Sequence, residues 1–397
     1  ILTASDSICW LLNVRGEDVP YNPVVLCRAV LHAKDATLDW FVDEQKLVDG
    51  VLEKLGSAIT VRTPVTWFEY VQNLTGVVQL DPQRAPFAVL QALEKGNATP
   101  YPLKDPCVIP KACKTEQEQL ALRQAHIRDG LAVTRFLYWL DNQNLANGHV
   151  DEILIADKLE EYRRSCATYR GQSFATIAGW KGHGAIIHYH ATSATSHKIL
   201  DNGLLLLDSG GQYEYGTTDI TRTIVLGQIN DKMREHFTRC LKGHIAVVTA
   251  KFDDTTVGAD IDKLARVSLL EGGVDYGHST GHGVGCFLCV HEDAAPISPR
   301  GQDVFKSGML LSNEPGCYIE GQYGIRHENL MLCQEDEDGK LFFDTVTLVP
   351  FDLKGIDWNL ITVSEREWLM TYHRHVFDML VPFLDEDEID WLRSFLI

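Results

Sequence analysis

The chain has 397 residues and a formal net charge of −19, with 45% hydrophobic and 23% charged residues. A chain of this length can form two or three domains with a large core, and its acidic balance argues against nucleic-acid binding, which needs a basic surface. No apolar run approaches the roughly 18 residues of a membrane-spanning helix, so neither a nucleic acid nor a membrane is expected as a partner.

The first residues indicate that an upstream segment is missing. The chain begins at Ile1, without methionine, and runs at once into the apolar stretch SICWLL at 7–12. Such a run is typical of a buried strand, and a natural amino terminus seldom lies one step before a core strand. We therefore expect a truncated, processed or cut chain.

Residues 1–111 alternate short apolar runs with polar helical stretches, which predicts a smaller α/β domain. The segment NATPYPLKDPCVIPKACK at 97–114 carries four prolines and is expected to be an extended linker. FEYVQNLTG and PFAVLQALEKGN give weaker helix patterns. The clearer patterns predict strands at 7–14, 24–31 and 38–42 and a helix at 43–56.

Residues 112–397 are expected to form a second, larger domain. TEQE at 115–118 is a Thr-x-x-Glu capping box that opens a long helix. Blocks of helices and hairpins favour an α+β architecture over a strictly alternating sheet. Helices are predicted at 115–141, 151–170, 230–250, 259–272 and 364–394, and strand pairs at 173–190, 203–226, 283–293, 309–318 and 323–334.

Four carboxylates in this second domain close or interrupt strongly apolar strands. A carboxylate there is costly unless it is paired. At about 4 Å apart, two such groups repel by roughly 4 kcal/mol at an effective dielectric of 20, and two divalent cations would cancel four charges. The alternative to cation binding, for any one of these acids, is that it caps a turn or pairs with a nearby arginine such as Arg222 or Arg326. The four are Asp208, Asp219, Glu314 and Glu328.

The stretch HSTGHGVGCFLCVHE at 278–292 is dense in residues that bind metals. Its glycines disfavour a helical His-x3-His clip, and no second C-x-x-C completes a four-thiolate zinc site. The ten cysteines are expected to be reduced thiols, which favours a cytoplasmic location. Carboxylates suit a hard cation and thiolates a soft one, so one histidine is expected to join the carboxylates while Cys286 and Cys289 pack. The candidates are His278, His282, Cys286, Cys289 and His291.

Together, DSGGQYEYGTTDITRT, HSTGHGVG…VHE, SNEPGCY and GIRHEN resemble the M24-type, or pita-bread, metallopeptidases. Within that family the chain is similar to the eukaryote-type long form of aminopeptidase P, because TGHGVGCFLCVHE has its spacing. ICWLLNVRGEDVPYNPV also resembles the opening of the middle domain of that form. The resemblance covers nearly the whole chain. It implies a pita-bread catalytic domain at 112–397 behind a middle domain at 1–111, with the amino-terminal domain of the long form lacking.

The resemblance also implies two divalent metal ions, most often Mn²⁺, with Co²⁺ or Zn²⁺ as alternatives. Four hard oxygens and one imidazole agree with that preference. Asp208 resembles a terminal ligand of one metal, while Asp219 and Glu328 resemble the bridging carboxylates. His282 and Glu314 resemble the terminal ligands of the other metal.

Further residues resemble the substrate-facing groups of the family. His188 resembles a histidine near the scissile bond, with His190 as a neighbouring rival. His291 resembles the histidine that contacts the scissile carbonyl oxygen, and His278 a further pocket histidine. Arg326 resembles the arginine beside the bridging glutamate.

The implied activity is hydrolysis of the bond between an N-terminal residue and a following proline. Two metal ions would activate a bridging water, and Glu314 would serve as general base. The expected partners are peptides with proline at the second position and a second copy of the chain, in a homodimer through the catalytic domain. A dipeptide-specific prolidase, a non-catalytic peptide-binding module and a thiol-based redox protein using Cys286 and Cys289 remain alternatives.

Three departures from the family pattern concern pocket shape rather than ligands. Ser279 stands where the family usually has glycine, and Cys317 where an aromatic residue is common. His327 replaces an apolar residue in GIRHEN.

Overall fold

The computed structural model describes residues 1–200 and 202–396. The chain divides into two units, Ile1–Lys111 and Ala112–Ile397. No helix in the described ranges combines the length and the apolar composition needed to cross a membrane.

The first unit combines short helices with two small sheets. Strands β1, β2 and β3 lie side by side, with β1 antiparallel and β3 parallel to β2. Strands β4 and β5 pair in parallel. The elements are α1 (Ser5–Leu12), β1 (Arg28–His32), β2 (Thr37–Phe41), α2 (Val51–Leu55), β3 (Ile59–Arg62), α3 (Trp67–Gln72), β4 (Thr75–Leu80), α4 (Phe87–Lys95), β5 (Asn97–Pro102) and α5 (Val108–Ala112), which reaches across the division.

Two expectations for this unit are wrong in detail. SICWLL belongs to helix α1 rather than to a strand, and it buries Ser7, Ile8 and Cys9. A short apolar run fits a buried strand and a buried helical turn equally well, so periodicity alone cannot separate them. The proline-rich segment 97–114 holds strand β5 and helix α5 instead of an extended linker.

The second unit is larger and contains longer helices. Its elements begin with α6 (Glu116–Asp141), α7 (Glu152–Arg164), β6 (Tyr169–Gln172), β7 (Ile177–Trp180), β8 (Gly203–Ser209), β9 (Gly211–Tyr213), β10 (Gly216–Thr217), β11 (Ile220–Leu226), α8 (Asp231–Val248), β12 (Lys251–Phe252) and α9 (Gly258–Glu271). They continue with β13 (Gly281–Gly283), β14 (Glu292–Ile297), β15 (Leu310–Asn313), β16 (Gly316–Ile319), β17 (Tyr323–Arg326), β18 (Asn329–Glu335), β19 (Leu341–Thr345), α10 (Val363–Leu380) and α11 (Glu386–Arg393).

The sheets of this unit are antiparallel, and two of them position the site. Strand β8 lies between β7 and β11, while a longer sheet runs in the order β12-β19-β18-β15-β13-β14. The hairpin β16–β17 pairs separately. Helix α6 begins with the capping box that the sequence indicates, because Thr115 and Glu118 bond each other's backbone N–H groups.

The four-leucine run of β8 is explained by burial on both faces of its sheet. Leu205 and Leu207 pack in one hydrophobic cluster with residues of α6 and α7. Leu204 packs in another with residues of α8 and α10. A strand covered on both sides needs an apolar residue at every position, and the carboxylate of Asp208 follows directly on this run.

Candidate metal centre

The hairpin of β8 and β11 supplies the first two carboxylates. Asp208 lies near the end of β8, opposite Thr221 in the antiparallel register. Asp219 directly precedes β11, and both carboxylates are buried. The sequence predicted that these two acids would lie on adjacent strands, and the hairpin places them so.

The sheet that contains β15 and β18 supplies the other two carboxylates. Glu314 directly follows β15, Glu328 directly precedes β18, and Asn313 pairs with Asn329 between them. The backbone N–H of Glu328 donates to the carbonyl oxygen of Thr221 at 3.1 Å. That bond ties this end of β18 to the hairpin that carries Asp208 and Asp219.

Three of the predicted ligands meet at one point. Ligand atoms of Asp219, His282 and Glu328 all lie within 4.8 Å of one another. The Nε2 atom of His282 lies 3.5 Å from Oδ2 of Asp219 and 3.3 Å from Oε1 of Glu314. A single imidazole nitrogen therefore faces two carboxylates from different sheets.

The ring of His282 is held in a defined orientation. Its Nδ1 lies 2.8 Å from the carbonyl oxygen of Gly283, which assigns the ring proton to Nδ1 and leaves Nε2 as the ligand atom. Its backbone N–H donates to Ser312 Oγ at 3.0 Å, and that hydroxyl donates to Oε1 of Glu314 at 2.9 Å. Ser312 thus fixes two predicted ligands at once.

Asp208 has a different set of contacts. Its Oδ2 accepts a hydrogen bond from Nη2 of Arg326, so the arginine pairing considered as an alternative does occur here. Its Oδ1 is buried and has no hydrogen-bond partner among the described residues. Glu328 shows the same pattern, because Thr221 donates to its Oε2 at 2.8 Å while Oε1 is buried without a described partner.

These unsatisfied oxygens test whether the residues fit the implied cations. A buried carboxylate oxygen without a donor is costly, and here two such atoms belong to the cluster. Four carboxylates and one imidazole form a donor set that suits divalent cations with a preference for oxygen. The residues therefore fit two divalent cations, and Asp208, Asp219, His282, Glu314 and Glu328 are the side chains that would hold them.

The pKa shifts within the cluster follow first from burial, with smaller contributions from neighbouring charges. Burial raises the pKa of Asp219 to about 7, against the effect of its hydrogen bond with His282. Burial also raises the pKa of Glu328 and Asp208, and neighbouring carboxylates add to the shift. For Glu314, hydrogen bonding to His282 outweighs burial and lowers the pKa to about 2. His282 thus stabilises the ionised forms of the neighbouring carboxyl groups to different degrees. Its effect is largest on Glu314, where it outweighs burial.

The three predicted substrate-facing histidines differ in their contacts and in their exposure. His291 packs against His282, with ring centroids 4.4 Å apart, and burial lowers its pKa to about 4. The Nε2 atom of His278 lies 2.8 Å from the hydroxyl of Tyr318. His188 is exposed on the loop after β7, and its charge contributes to the shift of His291.

Tyr318 is a site residue that the sequence reasoning missed. Arg326 donates to its hydroxyl from Nη1 at 2.7 Å, and the ring proton of His278 lies on Nδ1, which is 2.8 Å from the carbonyl oxygen of Ser279. The hydroxyl therefore accepts from Arg326 and donates to His278. Tyr318 closes the motif SNEPGCY, which was the available signal.

Two of the departures from the family pattern lie outside the cluster. Cys317 is buried, and its Sγ lies 3.3 Å from Nδ1 of His236. His327 is buried, with Nε2 3.2 Å from the carbonyl oxygen of Phe237. Within the described residues, neither side chain hydrogen-bonds to a predicted ligand.

Comparison with protein families gives three adjoining matches. Residues 121–335 match metallopeptidase family M24, and residues 339–394 match the C-terminal region of that peptidase family. Residues 1–118 match the creatinase/prolidase N-terminal domain. The expectation of a chain lacking its amino-terminal domain is therefore wrong, because the first 118 residues resemble such a domain. The expected pita-bread architecture behind a smaller domain is confirmed.

Curated relatives align with 99% of the chain. The chain is 39% identical to a probable Xaa-Pro aminopeptidase P of Laccaria bicolor and covers 63% of that protein. It is 36% identical to a probable Xaa-Pro aminopeptidase P of Tuber melanosporum and to Xaa-Pro aminopeptidase 1 of Dictyostelium discoideum, covering 68% and 65% of them. The chain thus spans about two thirds of the length of these relatives.

Solved structures give the same picture. An X-prolyl aminopeptidase of Caenorhabditis elegans, described as a cytosolic enzyme with a di-nuclear active site, matches with a TM-score of 0.91 and 31% identity. The match covers 99% of this chain and 66% of that one. A Xaa-Pro dipeptidase of Bacillus anthracis matches with a TM-score of 0.69 at 22% identity, over 89% of this chain and 93% of that one, which is a likeness of fold alone.

Proposed function

The chain belongs to metallopeptidase family M24, and from that membership we propose that it removes an N-terminal residue that precedes proline. The observation that carries the proposal is the meeting of Asp219, His282 and Glu328, with Asp208 and Glu314 beside them. Relatives with 36 to 39% identity carry the name Xaa-Pro aminopeptidase, which supports the choice of substrate within the family.

We propose that the five side chains hold two divalent cations, with Mn²⁺ as the preferred ion over Co²⁺ or Zn²⁺. The two buried carboxylate oxygens without described donors, on Asp208 and Glu328, support the number. The predominance of oxygen donors supports the identity. When bound, the cations would act as Lewis acids and lower the pKa of an attacking water towards neutrality.

Glu314 is the proposed general base. It is 17% exposed at the side chain, so it can face a substrate, whereas Glu328 is fully buried. Its hydrogen bond with His282 lowers its pKa and keeps it ionised, which is the form that a general base needs. The nitrogen of proline must be protonated before it leaves, and Glu314 would deliver the proton it has accepted.

The histidines and the arginine have proposed supporting roles. His291, neutral at pH 7, would donate its ring N–H to the oxygen of the scissile carbonyl as negative charge develops there. Arg326 holds Asp208 and Tyr318, and through Tyr318 it orients His278 towards the substrate. His188, exposed beside His291, would contact the residue that follows the scissile bond.

The site also offers a reason for cleavage to start at a free amino terminus. The free amine of the substrate would lie beside the cations and their carboxylate ligands. A peptide with a blocked amino terminus lacks that amine. Selectivity for the first bond would therefore follow from recognition of the amine at the site.

We further propose the organisation around this activity. Residues 1–111 would form the smaller domain and residues 112–397 the catalytic domain, since the chain divides into units at that point. A homodimer through the catalytic domain and a cytoplasmic location complete the proposal. The description of the C. elegans neighbour as cytosolic supports the location.

The activity is tested with Arg-Pro-Pro, an Arg-Pro dipeptide and an N-acetylated Arg-Pro-Pro, before and after EDTA and after addition of Mn²⁺. We expect cleavage of the free tripeptide, loss with EDTA and recovery with Mn²⁺. Cleavage of the dipeptide alone would identify a prolidase. A protein that binds cations but cleaves none of the three would contradict the proposal and favour a peptide-binding module.

A further inference from the structure

A cavity of about 650 Å³ lies beside the segment that leads to His188. One wall is the short helical turn Lys181–Ala185 with Ile186, and the opposite wall is the turn at Glu320 and Gly321 between β16 and β17. His197 and Lys198 complete the rim. None of these residues belongs to the cation cluster.

The described residues that line the cavity include two lysines, Lys181 and Lys198, and one carboxylate, Glu320. Within the described residues of the second unit, every lysine forms an ion pair with Asp or Glu except Lys181, Lys198 and Lys306. Two of those three line this one cavity. In a chain with a net charge of −19, two ammonium groups without a carboxylate partner indicate a place where an external anion would bind.

The walls of the cavity are firmly built. Glu152, buried at the start of α7, accepts hydrogen bonds from the backbone N–H groups of Trp180 and His197, at 2.8 and 2.9 Å. It also accepts from the hydroxyl of Tyr189 at 2.8 Å and contacts Nδ1 of His183 at 2.9 Å. One carboxylate thus clamps both ends of the segment that lines the cavity.

The basic side chains are positioned by the same clamp. The rings of His183 and His197 stack with centroids 3.9 Å apart. Because Nδ1 of His183 is held by Glu152, its Nε2 is the nitrogen left to face a ligand. The stem of Lys181 lies against the backbone of Gly203, and its ammonium group lies 5.2 Å from the ring centroid of Trp180. Lys181 also has a left-handed backbone, with φ of 51°, a conformation that costs energy for a residue other than glycine.

Two strands fix the distance from the cavity to the cation cluster. The cavity reaches Gly321, and β17 runs from that turn to Arg326, which bonds Asp208. Lys181 lies against Gly203, where β8 begins its course to Asp208. At about 3.3 Å per residue, each path is roughly 17 Å long. An extended peptide of about five residues covers that distance.

We propose that this cavity binds the carboxyl-terminal carboxylate of the peptide substrate, with Lys181 and Lys198 as the recognising cations. The inference rests on the proposed function, because it assigns the cavity to a peptide whose amino terminus lies at the cluster. It adds a preference for substrates of five or six residues with a free carboxylate. Glu320 opposes the two lysines and limits the strength of the interaction.

The test compares free-acid and amidated forms of Ala-Pro peptides of three, six and nine residues. For the hexapeptide, we expect the free-acid form to have a higher kcat/KM than the amidated form. The difference should arise from a lower KM for the free acid. The tripeptide is too short to show the preference. Lys181→Gln and Lys198→Gln should each lower the acid-to-amide ratio by up to about fivefold, while Glu320→Gln should raise it. High salt should weaken the preference.

Lys306→Gln is the matched control, because Lys306 is also exposed and without an ion pair among the described residues but does not line the cavity. It should leave the ratio unchanged. An acid-to-amide ratio of one in the wild type, or a ratio that survives in the Lys181→Gln/Lys198→Gln double variant, would overturn the inference while leaving the proposed activity intact.

Inorganic phosphate separates a peptide subsite from a site for free anions. Phosphate should inhibit hydrolysis of the hexapeptide acid competitively and the tripeptide much less. Phosphate stabilisation in a thermal melt, lost in the double variant but with no acid preference in hydrolysis, would assign the cavity to free anions and overturn the peptide assignment. If no Ala-Pro peptide is cleaved, the proposed function fails. If phosphate then also fails to stabilise the protein in a thermal melt, the anion site is overturned as well.

Discussion

The imidazole rings of His282 and His291 meet edge to face, with centroids 4.4 Å apart and planes at 64°. Their protonation differs although they are neighbours. Burial would lower the pKa of His282, but hydrogen bonds with Asp219 and Glu314 raise it well above its usual value. Burial and the charge of His282 lower that of His291 to about 4. One ring is thus tied to carboxylates, and the other is left neutral and able to donate.

Replacing His291 with alanine should reduce turnover without removing the cations. If its N–H stabilises the developing oxyanion, kcat should fall by about 10²–10³-fold with a small change in KM. Metal analysis alongside steady-state kinetics checks both points. Cation content that falls together with kcat would instead make His291 a support for His282.

Replacing a carboxylate of the cluster should raise the unfolding temperature without cations and should reduce the stabilisation that cations provide. Asp219→Asn removes one of four crowded carboxylates, so in EDTA it should unfold at a higher temperature than the wild type, whose buried like charges repel. With Mn²⁺ the wild type should gain stability, and the variant should gain little. Thermal melts in EDTA and in Mn²⁺ measure this. A variant stabilised by Mn²⁺ as strongly as the wild type would refute Asp219 as a ligand.

The neighbouring histidines His188 and His190 should differ in effect. Both are exposed, but only His188 resembles the substrate-facing histidine of the family. His188→Ala should therefore lower kcat/KM for Arg-Pro-Pro by at least about tenfold, and His190→Ala should leave it near the wild-type value. Equal losses in the two variants would indicate a general effect on the loop.

The C-x-x-C pair should be dispensable for hydrolysis. Sγ of Cys286 lies 3.4 Å from the carbonyl oxygen of Tyr215, and the soft thiolates do not suit the oxygen-preferring cations proposed for the cluster. A Cys286→Ser/Cys289→Ser variant should keep its activity under reducing conditions. Loss of activity in the serine variant would favour the alternative of a thiol-based protein that uses Cys286 and Cys289.

A buried histidine that is not one of the proposed ligands predicts loss of stability in acid. His373 accepts from the backbone N–H of Phe351 at 3.0 Å through Nε2, and burial lowers its pKa from 6.5 to about 4. Because the folded state resists protonation, its stability contribution is present above pH 6.5 and is lost as the pH falls from 6.5 to 4. Linkage predicts a loss of about 2 kcal/mol at pH 5.

Urea unfolding of the wild type and of His373→Gln, between pH 7.5 and 5, measures this loss. The variant can still accept from Phe351 through its amide oxygen, and its unfolding free energy should depend less on pH. His149→Gln, at an exposed position, is the control and should follow the wild type. Identical pH dependence in all three proteins would contradict the prediction.

The sequence predicted the carboxylate strands well because their chemistry is local. A run of four leucines that ends in Asp208 has few structural solutions, and β11, which begins directly after Asp219, does return beside β8. The sequence did not predict that the connection between them would form β9 and β10. The long helix from Thr115 was equally clear, since its capping box is a local signal. The SICWLL stretch failed for the opposite reason, because a helix or a strand could bury it.

The contacts of Arg326 and Tyr318 lay beyond sequence reasoning. The sequence allowed Arg326 to pair with an acid, but only the packing of β17 against β8 selects Asp208 as that acid. Tyr318 gains its place because β16 and β17 pair in a register that sets it near Arg326. Such relations depend on register and twist, which no single segment encodes.

The proposed ligands run from Asp208 on β8 to Glu328 beside β18, and they come from strands that pair only after long stretches of chain have folded. A partly synthesised chain that stops before Glu328 has no complete binding site. If the five side chains hold the cations as proposed, cation loading would report the finished assembly of the catalytic domain. Metal retention in a purified sample would accordingly measure the fraction of correctly folded catalytic domains.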